Sequence, residues 1–387
     1  MEFDFWWLLV PPLFFAFGWL AARIDIKQLI NESKRLPSAY YKGLNFLLND
    51  QEDQAIDVFV EIIKLNPDSV ELNFALGSMF RRKGEIDRAI LIHQKLLQRN
   101  DIAAELRLDA QYELALDYLK SGLLDRAEDG LKALQGGRYA RKASGHLLDI
   151  YQQEKQWEKA IAVANTLSDA NYSFQHEVAQ FYCELALRDI ANSQPDAARS
   201  HLEQALATHR KCARANIMLG EIDAAAGHYE SAIVIWQRIE GQDPQYLSLV
   251  GTKILDAFRR LERPADGVQL LKSYLSTYPT LDLLDLIHQA VLEQEGEQVA
   301  LEYVYSVLRA NPSMLGLKTL ADAESLLAPV ERRKDLEVIR SLINENTRKL
   351  SMYHCTACGF RAKQYYWHCP GCSGWETYNP KLGAESV

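Results

Sequence analysis

Eight small residues mark out the middle of this chain at a nearly constant interval: Ala55, Ala89, Ala127, Ala160, Ala198, Ala232, Gly267 and Ala300. Their spacings are 34, 38, 33, 38, 34, 35 and 33 residues. A period of this size means that one supersecondary unit is repeated. No single unit can bury its apolar face alone, so successive units have to stack. An all-α bundle of unrelated helices would lack such a period. The two 38-residue steps imply short insertions, expected in turns around Asp101 to Leu106 and Ser173 to His176.

The residues around the small positions give each unit its form. One unit carries Gly43, Phe46, Ala55, Phe59 and Pro67, and the next carries Leu76, Gly77, Phe80 and Ala89. Leu219, Gly220, Ala232, Trp236 and Pro244 repeat the same offsets, and Pro279 and Pro312 close the seventh and eighth units. This is the tetratricopeptide pattern, in which two antiparallel helices approach at the small residue while an aromatic ring fills the neighbouring hole. The expected fold class is all-α: a right-handed tetratricopeptide solenoid of about eight repeats over residues 36–314. A degenerate helical cap is expected over 315–350. The first helix of each pair should line a concave surface suited to peptide segments or other domains. Repeat-position Tyr and Trp residues read as core before they read as groove anchors.

The N-terminal stretch Phe5 to Ala22 contains no charge. At about 1.5 Å per residue it would reach roughly 27 Å as a helix, near the thickness of a hydrocarbon core. Trp6, Trp7 and Trp19 lie towards its ends, where amphipathic rings favour the interface, and Pro11 and Pro12 predict a kink. Acidic Glu2 and Asp4 precede it where a cleaved signal peptide would carry basic residues. The expectation is a transmembrane anchor at 1–22 and a juxtamembrane linker at 23–35. Arg23, Lys27, Lys34 and Arg35 follow the span and no basic residue precedes it, which places the bulk of the chain in the cytoplasm.

The C-terminus reads Cys355-Thr-Ala-Cys358-Gly359, and after ten residues from Gly359 to His368, Cys369-Pro-Gly-Cys372. Two such CxxC hairpins supply four thiolates for a tetrahedral metal ion, so Cys355, Cys358, Cys369 and Cys372 are the expected ligands of a domain at 351–387. A thioredoxin-like site would instead use one CxxC inside a βαβ unit. A tail this small needs its ion to fold. Tyr365, Tyr366, Trp367 and Trp375 should form its apolar shell, and His368 reads as a supporting or docking group. Spacing does not separate iron from zinc. The remaining thiols, Cys183 and Cys212, stand apart in helical sequence and read as buried small hydrophobes.

Other chemistries find no support. The net charge is -9, and the densest basic cluster, Arg332, Arg333 and Lys334, sits between Glu331 and Asp335. No nucleic-acid partner is expected. Nor is catalysis: there is no Ser-His-Asp arrangement, phosphate-binding glycine loop or HExxH motif.

The CxxCG and CPxC pieces resemble a rubredoxin, with Ser373 in place of the usual second glycine. As a whole, an anchor, tetratricopeptide units and a rubredoxin-like tail in this order resemble the lipopolysaccharide assembly protein B family. The stretches that carry the likeness include Phe46-Leu47-Leu48, Gly84-Glu85-Ile86-Asp87-Arg88-Ala89-Ile90, Phe181-Tyr182-Cys183-Glu184 and Tyr366-Trp367-His368-Cys369-Pro370. The resemblance implies an inner-membrane protein of a Gram-negative bacterium. Such a protein restrains lipopolysaccharide synthesis by promoting degradation of the deacetylase LpxC through the membrane protease FtsH, and is linked to the lipopolysaccharide export machinery. It also implies a metal at Cys355, Cys358, Cys369 and Cys372, with iron favoured over zinc, and a tail packed back on the repeats. A rubredoxin-like electron carrier and a general membrane-associated scaffold remain as alternatives.

Overall fold

The computed structural model describes residues 39–168, 173–347 and 352–380. The expected anchor at 1–22 and linker at 23–35 lie outside these residues. Among the described residues no helix is long and apolar enough to cross a membrane. The chain divides into two compact units between Lys155 and Gln156.

The first unit is built of α1 (residues 39–48), α2 (Glu52–Leu65), α3 (Val70–Lys83), α4 (Ile86–Gln98), α5 (Ala104–Ser121), α6 (Leu124–Lys132) and α7 (Ala140–Gln153). The second holds α8 (Trp157–Leu167), α9 (Gln175–Ala191), α10 (Pro195–Thr208), α11 (Ala213–Ala225), α12 (Tyr229–Gln242), α13 (Leu247–Arg260) and α14 (Pro264–Thr277). It continues through α15 (Leu284–Glu295), α16 (Glu297–Ala310), α17 (Met314–Leu327) and α18 (Val330–Thr347) to a two-stranded ribbon of β1 (Tyr353–His354) and β2 (Arg361–Ala362).

Each of the eight small residues sits near the start of the second helix of a pair and is buried. The reason for smallness is visible at the partner position. A methyl group added at Gly43 would lie 2.9 Å from the Phe59 ring. At Gly77 it would strike the His93 ring, and at Gly220 the Trp236 indole. In all three pairs the ring comes 16 residues after the glycine, so one packing device recurs with three different rings.

The turns repeat as well. Asp50, Gly84, Gly122, Lys155, Ser193, Gly227 and Glu262, each five residues before a small position, all have positive φ. At Gly84 the reversal lets its own N–H reach Arg81 O at 3.2 Å and that of Glu85 reach Phe80 O at 2.9 Å, closing the open end of α3. Where the turn residue is not glycine, φ still takes 56° to 59°, a conformation costing roughly 1–2 kcal/mol for a residue with a Cβ.

The first long step corrects the expected turn insertion; the second is shared between turn and helix, since α8 ends at Leu167 and α9 starts only at Gln175, whereas α2 ends at Leu65 and α3 starts at Val70. The extra residues lengthen helices: α5 has 18 residues and α9 has 17, against 14 in α3. Each gains about one turn at its N-terminus, because four residues advance a helix by close to a full 3.6-residue turn and leave its buried face unchanged. The region after residue 314 forms a further hairpin, α17 and α18, with Arg332, Arg333 and Lys334 exposed as a solvated face should be.

Candidate metal centre

The tail is two short loops that copy one another. In the first, β1 and β2 pair antiparallel with Tyr353 opposite Ala362 and His354 opposite Arg361. Cys355 N–H donates to Phe360 O at 2.9 Å, and Gly359 N–H to Cys355 O at 2.9 Å. In the second, Cys369 N–H donates to Gly374 O and Ser373 N–H to Cys369 O, both at 2.9 Å. Gly359 and Ser373, each four residues after a cysteine, turn the chain with φ of 75° and 56°. The serine therefore adopts the backbone that a glycine would adopt more easily.

This geometry brings the four expected cysteines together. Their sulfurs all lie within 4.8 Å of one another, with Cys355 to Cys372 and Cys358 to Cys369 both at 3.7 Å. A tetrahedral ion with metal–sulfur bonds of about 2.3 Å requires sulfur–sulfur edges of roughly 3.8 Å, whereas a disulfide requires about 2.05 Å. The donor set fits one thiolate-bound ion. Gly371 N–H points at Cys369 Sγ at 3.4 Å, and the Thr377 hydroxyl lies 3.2 Å from Cys355 Sγ. Burial opposes ionisation of Cys355, but that hydroxyl and the N–H groups of Cys358 and Ala357 prevail and hold its thiol down at about 6. Cys355 and Cys369 are buried while Cys358 and Cys372 are exposed, so one edge of the cluster faces solvent. His368 is not part of the cluster; its ring lies against Trp375, centroids 4.3 Å apart.

The apolar shell divides in two. Tyr353, Ala362, Tyr365 and Tyr366 pack round Cys355, Cys369 and the buried Tyr378, as a shell should. Trp367 and Trp375 instead face the repeats. Trp375 meets Trp157 and Phe181 edge-on at 6.0 and 5.8 Å, and Trp367 stacks on Tyr246 at 5.2 Å. The Arg214 guanidinium lies 5.7 Å from the Trp367 ring centroid and 5.9 Å from that of Trp375. Burial pushes the phenols of Tyr246 and Tyr365 up, as expected for rings closed into this seam.

Beside the indoles sits a carboxylate that sequence reasoning did not single out. Glu376 places one oxygen 2.5 Å from His176 Nε2, and its other oxygen accepts from the Gln180 side-chain amide at 2.6 Å. Arg214 donates to Gln180 Oε1 at 3.2 Å and to Glu184 Oε1 at 2.7 Å. The Glu376 carboxylate raises the His176 imidazole above its ordinary value, against the effect of burial. The one hint in the sequence was the second 38-residue step: the extra turn it adds to α9 is the turn that carries His176. The lone thiols Cys183 and Cys212 are fully buried next to this network, their sulfurs 3.8 Å apart.

Comparison with known proteins agrees with both halves of this description. The rubredoxin metal binding domain family matches residues 353–380, and tetratricopeptide repeat families match residues 44–105 and 189–251. Lipopolysaccharide assembly protein B of Escherichia coli K12 is 34% identical over 383 residues, which cover 98% of each chain. The protein of the same name from Haemophilus influenzae is 29% identical over 393 residues, covering 97% of this chain and 98% of its own. Likeness at this level and along nearly the whole length settles kinship: the chain belongs to the lipopolysaccharide assembly protein B family.

Proposed function

We propose that this protein is a non-enzymatic scaffold of lipopolysaccharide assembly, tethered to the inner membrane with its repeats on the cytoplasmic side. In this reading residues 1–22 are the anchor, 23–35 the linker, 36–314 the repeats, 315–350 the cap and 351–387 the metal domain. The repeats bring the deacetylase LpxC to the membrane protease FtsH and so restrain lipopolysaccharide synthesis, with a link to the export machinery. Tethering matters because confinement raises the effective concentration of a membrane-bound partner.

The observation that carries the reading is the character of the specialised site. Its aromatic and polar groups are spent on holding one part of the chain against another, which is the chemistry of a scaffold. Cys355, Cys358, Cys369 and Cys372 hold one ion, iron or zinc. When bound, the ion fixes four sulfurs in place, and the chain's own backbone N–H groups and the Thr377 hydroxyl offset their charge. Reconstitution of protease and deacetylase in bilayers tests the reading. Added protein is expected to speed LpxC degradation and to turn over no lipid A precursor. Unchanged degradation, with neither partner co-purifying, would remove its support.

A further inference from the structure

The seat of the metal domain has the makeup of a ligand site. α9 and α11 are the first helices of their pairs, and first helices form the surface on which stacked helical repeats take up extended segments. There Phe181 of α9, stacked at 5.6 Å on Trp157 at the start of α8, receives an indole edge-on, and the α9 side chains next to it read a carboxylate at two points. His176 takes one oxygen of Glu376 at 2.5 Å, and Gln180 takes the other at 2.6 Å. Arg214 stiffens Gln180 from behind and lies over both indoles. Trp157, Phe181, Gln180, Arg214 and Tyr246 are all buried beneath the tail. Burying charged groups costs desolvation energy that plain apolar packing would avoid, and what polar complementarity contributes is choice of partner.

The occupant, in turn, is shaped by the cysteine loops. Gly374 is held by its carbonyl to Cys369 N–H, and Glu376 N–H donates to Trp367 O at 2.8 Å, so Trp375 and Glu376 project from a loop whose form the four sulfurs set. Among the described residues of the tail, the buried apolar cluster is Cys355, Cys369 and Tyr378. A core of this size does not hold a fold without its ion.

We infer that the α9–α11 face is a receptor for a partner segment bearing an aromatic residue followed by an acidic one. Trp375 and Glu376 fill this receptor in cis, and loss of the ion vacates it. The inference rests on the four-cysteine reading given above. The protein thus has a guarded surface, available to a partner only when the metal domain lets go.

The test uses the full chain in detergent, metal-loaded or stripped by a chelator under reducing conditions. The probe is a fluorescently labelled synthetic peptide copying residues 373–379, alongside the same peptide with Gln in place of Glu. Stripped chain should bind the first peptide at least tenfold more tightly than loaded chain does. The Gln peptide should lose most of that gain, as should stripped Arg214→Leu chain. Hydrogen exchange at residues 176–184 should rise on stripping. Equal binding to loaded and stripped chain overturns the inference. So does exposure of α9 without peptide binding, or stripping that leaves α9 protected. A chain purified without stoichiometric metal sinks the four-cysteine reading instead. In that event the peptide is added to a Trp375→Ala, Glu376→Gln double variant, whose face is vacated without ion removal, and absence of binding there overturns the receptor itself.

Discussion

Two clusters in this molecule use the same three kinds of side chain to different ends. In the first unit, His93 Nδ1 lies 2.5 Å from Asp117 Oδ2, and Arg81 reaches Asp117 at 2.8 Å and Glu113 at 2.5 Å. In the second unit, His176 meets Glu376 at the same 2.5 Å, with Gln180 and Arg214 behind it. His93 and Asp117 are 0% exposed at their side chains, while His176 and Glu376 are 38% and 16% exposed. The first cluster joins neighbours 24 to 36 residues apart, the second joins residues 200 apart. The sealed pair at the centre of the first cluster, His93 with Asp117, has no water to fall back on when a member is removed, and it holds α4 against α5 while Arg81 and Glu113 at its rim, 18% and 25% exposed, add α3. A half-open cluster competes with solvent, which suits a contact meant to be made and released.

The sharpest way to break this contrast is Asp117→Ala. The substitution leaves Arg81 without one of its two carboxylates and strands a buried histidine. A loss of about 3–5 kcal/mol is expected, the usual cost of uncovering one partner of a buried ionic pair. Hydrogen exchange through α3 to α5 is the suitable measurement, since repeat arrays need not unfold in one step. A loss below about 1 kcal/mol would put the sealed cluster on a level with surface pairs.

Next in size is Gly220→Ala. The added methyl group would strike the Trp236 indole, which is fully packed and donates to Ile217 O at 3.1 Å. Overpacking there should cost on the order of 1–3 kcal/mol, read as lowered protection across α11 and α12. The same change at a glycine with open space beside it, Gly145, should not reproduce the loss.

These two substitutions also mark what the sequence made legible. Gly220 and Trp236 stand at fixed offsets from Ala232, so the period alone assigned them to one packed pair. The four cysteines were legible because CxxC spacing is itself the geometry of two ligands on one loop. The first 38-residue step was misread because four added residues resemble a loop insertion in sequence, yet close to one turn can be added to a helix with no change of face. Glu376 was invisible for a different reason. Its partners, His176 and Gln180, lie about 200 residues away on a helix with no motif of its own, and no periodicity links the two segments.

Glu376→Gln should give a smaller effect, confined to the tail. The amide keeps one accepting oxygen but loses the charge facing His176. The expected cost is about 1–2 kcal/mol, below the roughly 1.5–3 kcal/mol of a fully buried hydrogen bond to a charged group because solvent partly enters the site. Faster exchange at residues 352–380 with unchanged protection in α3 to α5 is the expected pattern. Loosening of both regions together would erase the distinction between sealed and half-open clusters.

The smallest effect is a dependence of tail docking on pH. The Glu376 carboxylate raises the His176 imidazole above its ordinary value of 6.5, against burial, with lesser help from Glu177 and Cys212. His209, whose ring lies 5.6 Å from that of His176, is lowered by burial and by the His176 charge, against the pull of Glu376. Because docking raises the His176 value, the docked state binds a proton more tightly than the released one. The stabilisation is therefore complete below the ordinary value and fades as pH rises through the raised one. With His176 more than a third exposed, solvent screening limits the change to at most about fivefold in tail protection. Exchange at residues 352–380 in metal-loaded chain, corrected for intrinsic rates, should quicken as pH rises above the ordinary imidazole value of about 6.5. His176→Gln should flatten that slope. A slope that survives the substitution would move the titration to another group and leave Glu376 held by Gln180 alone.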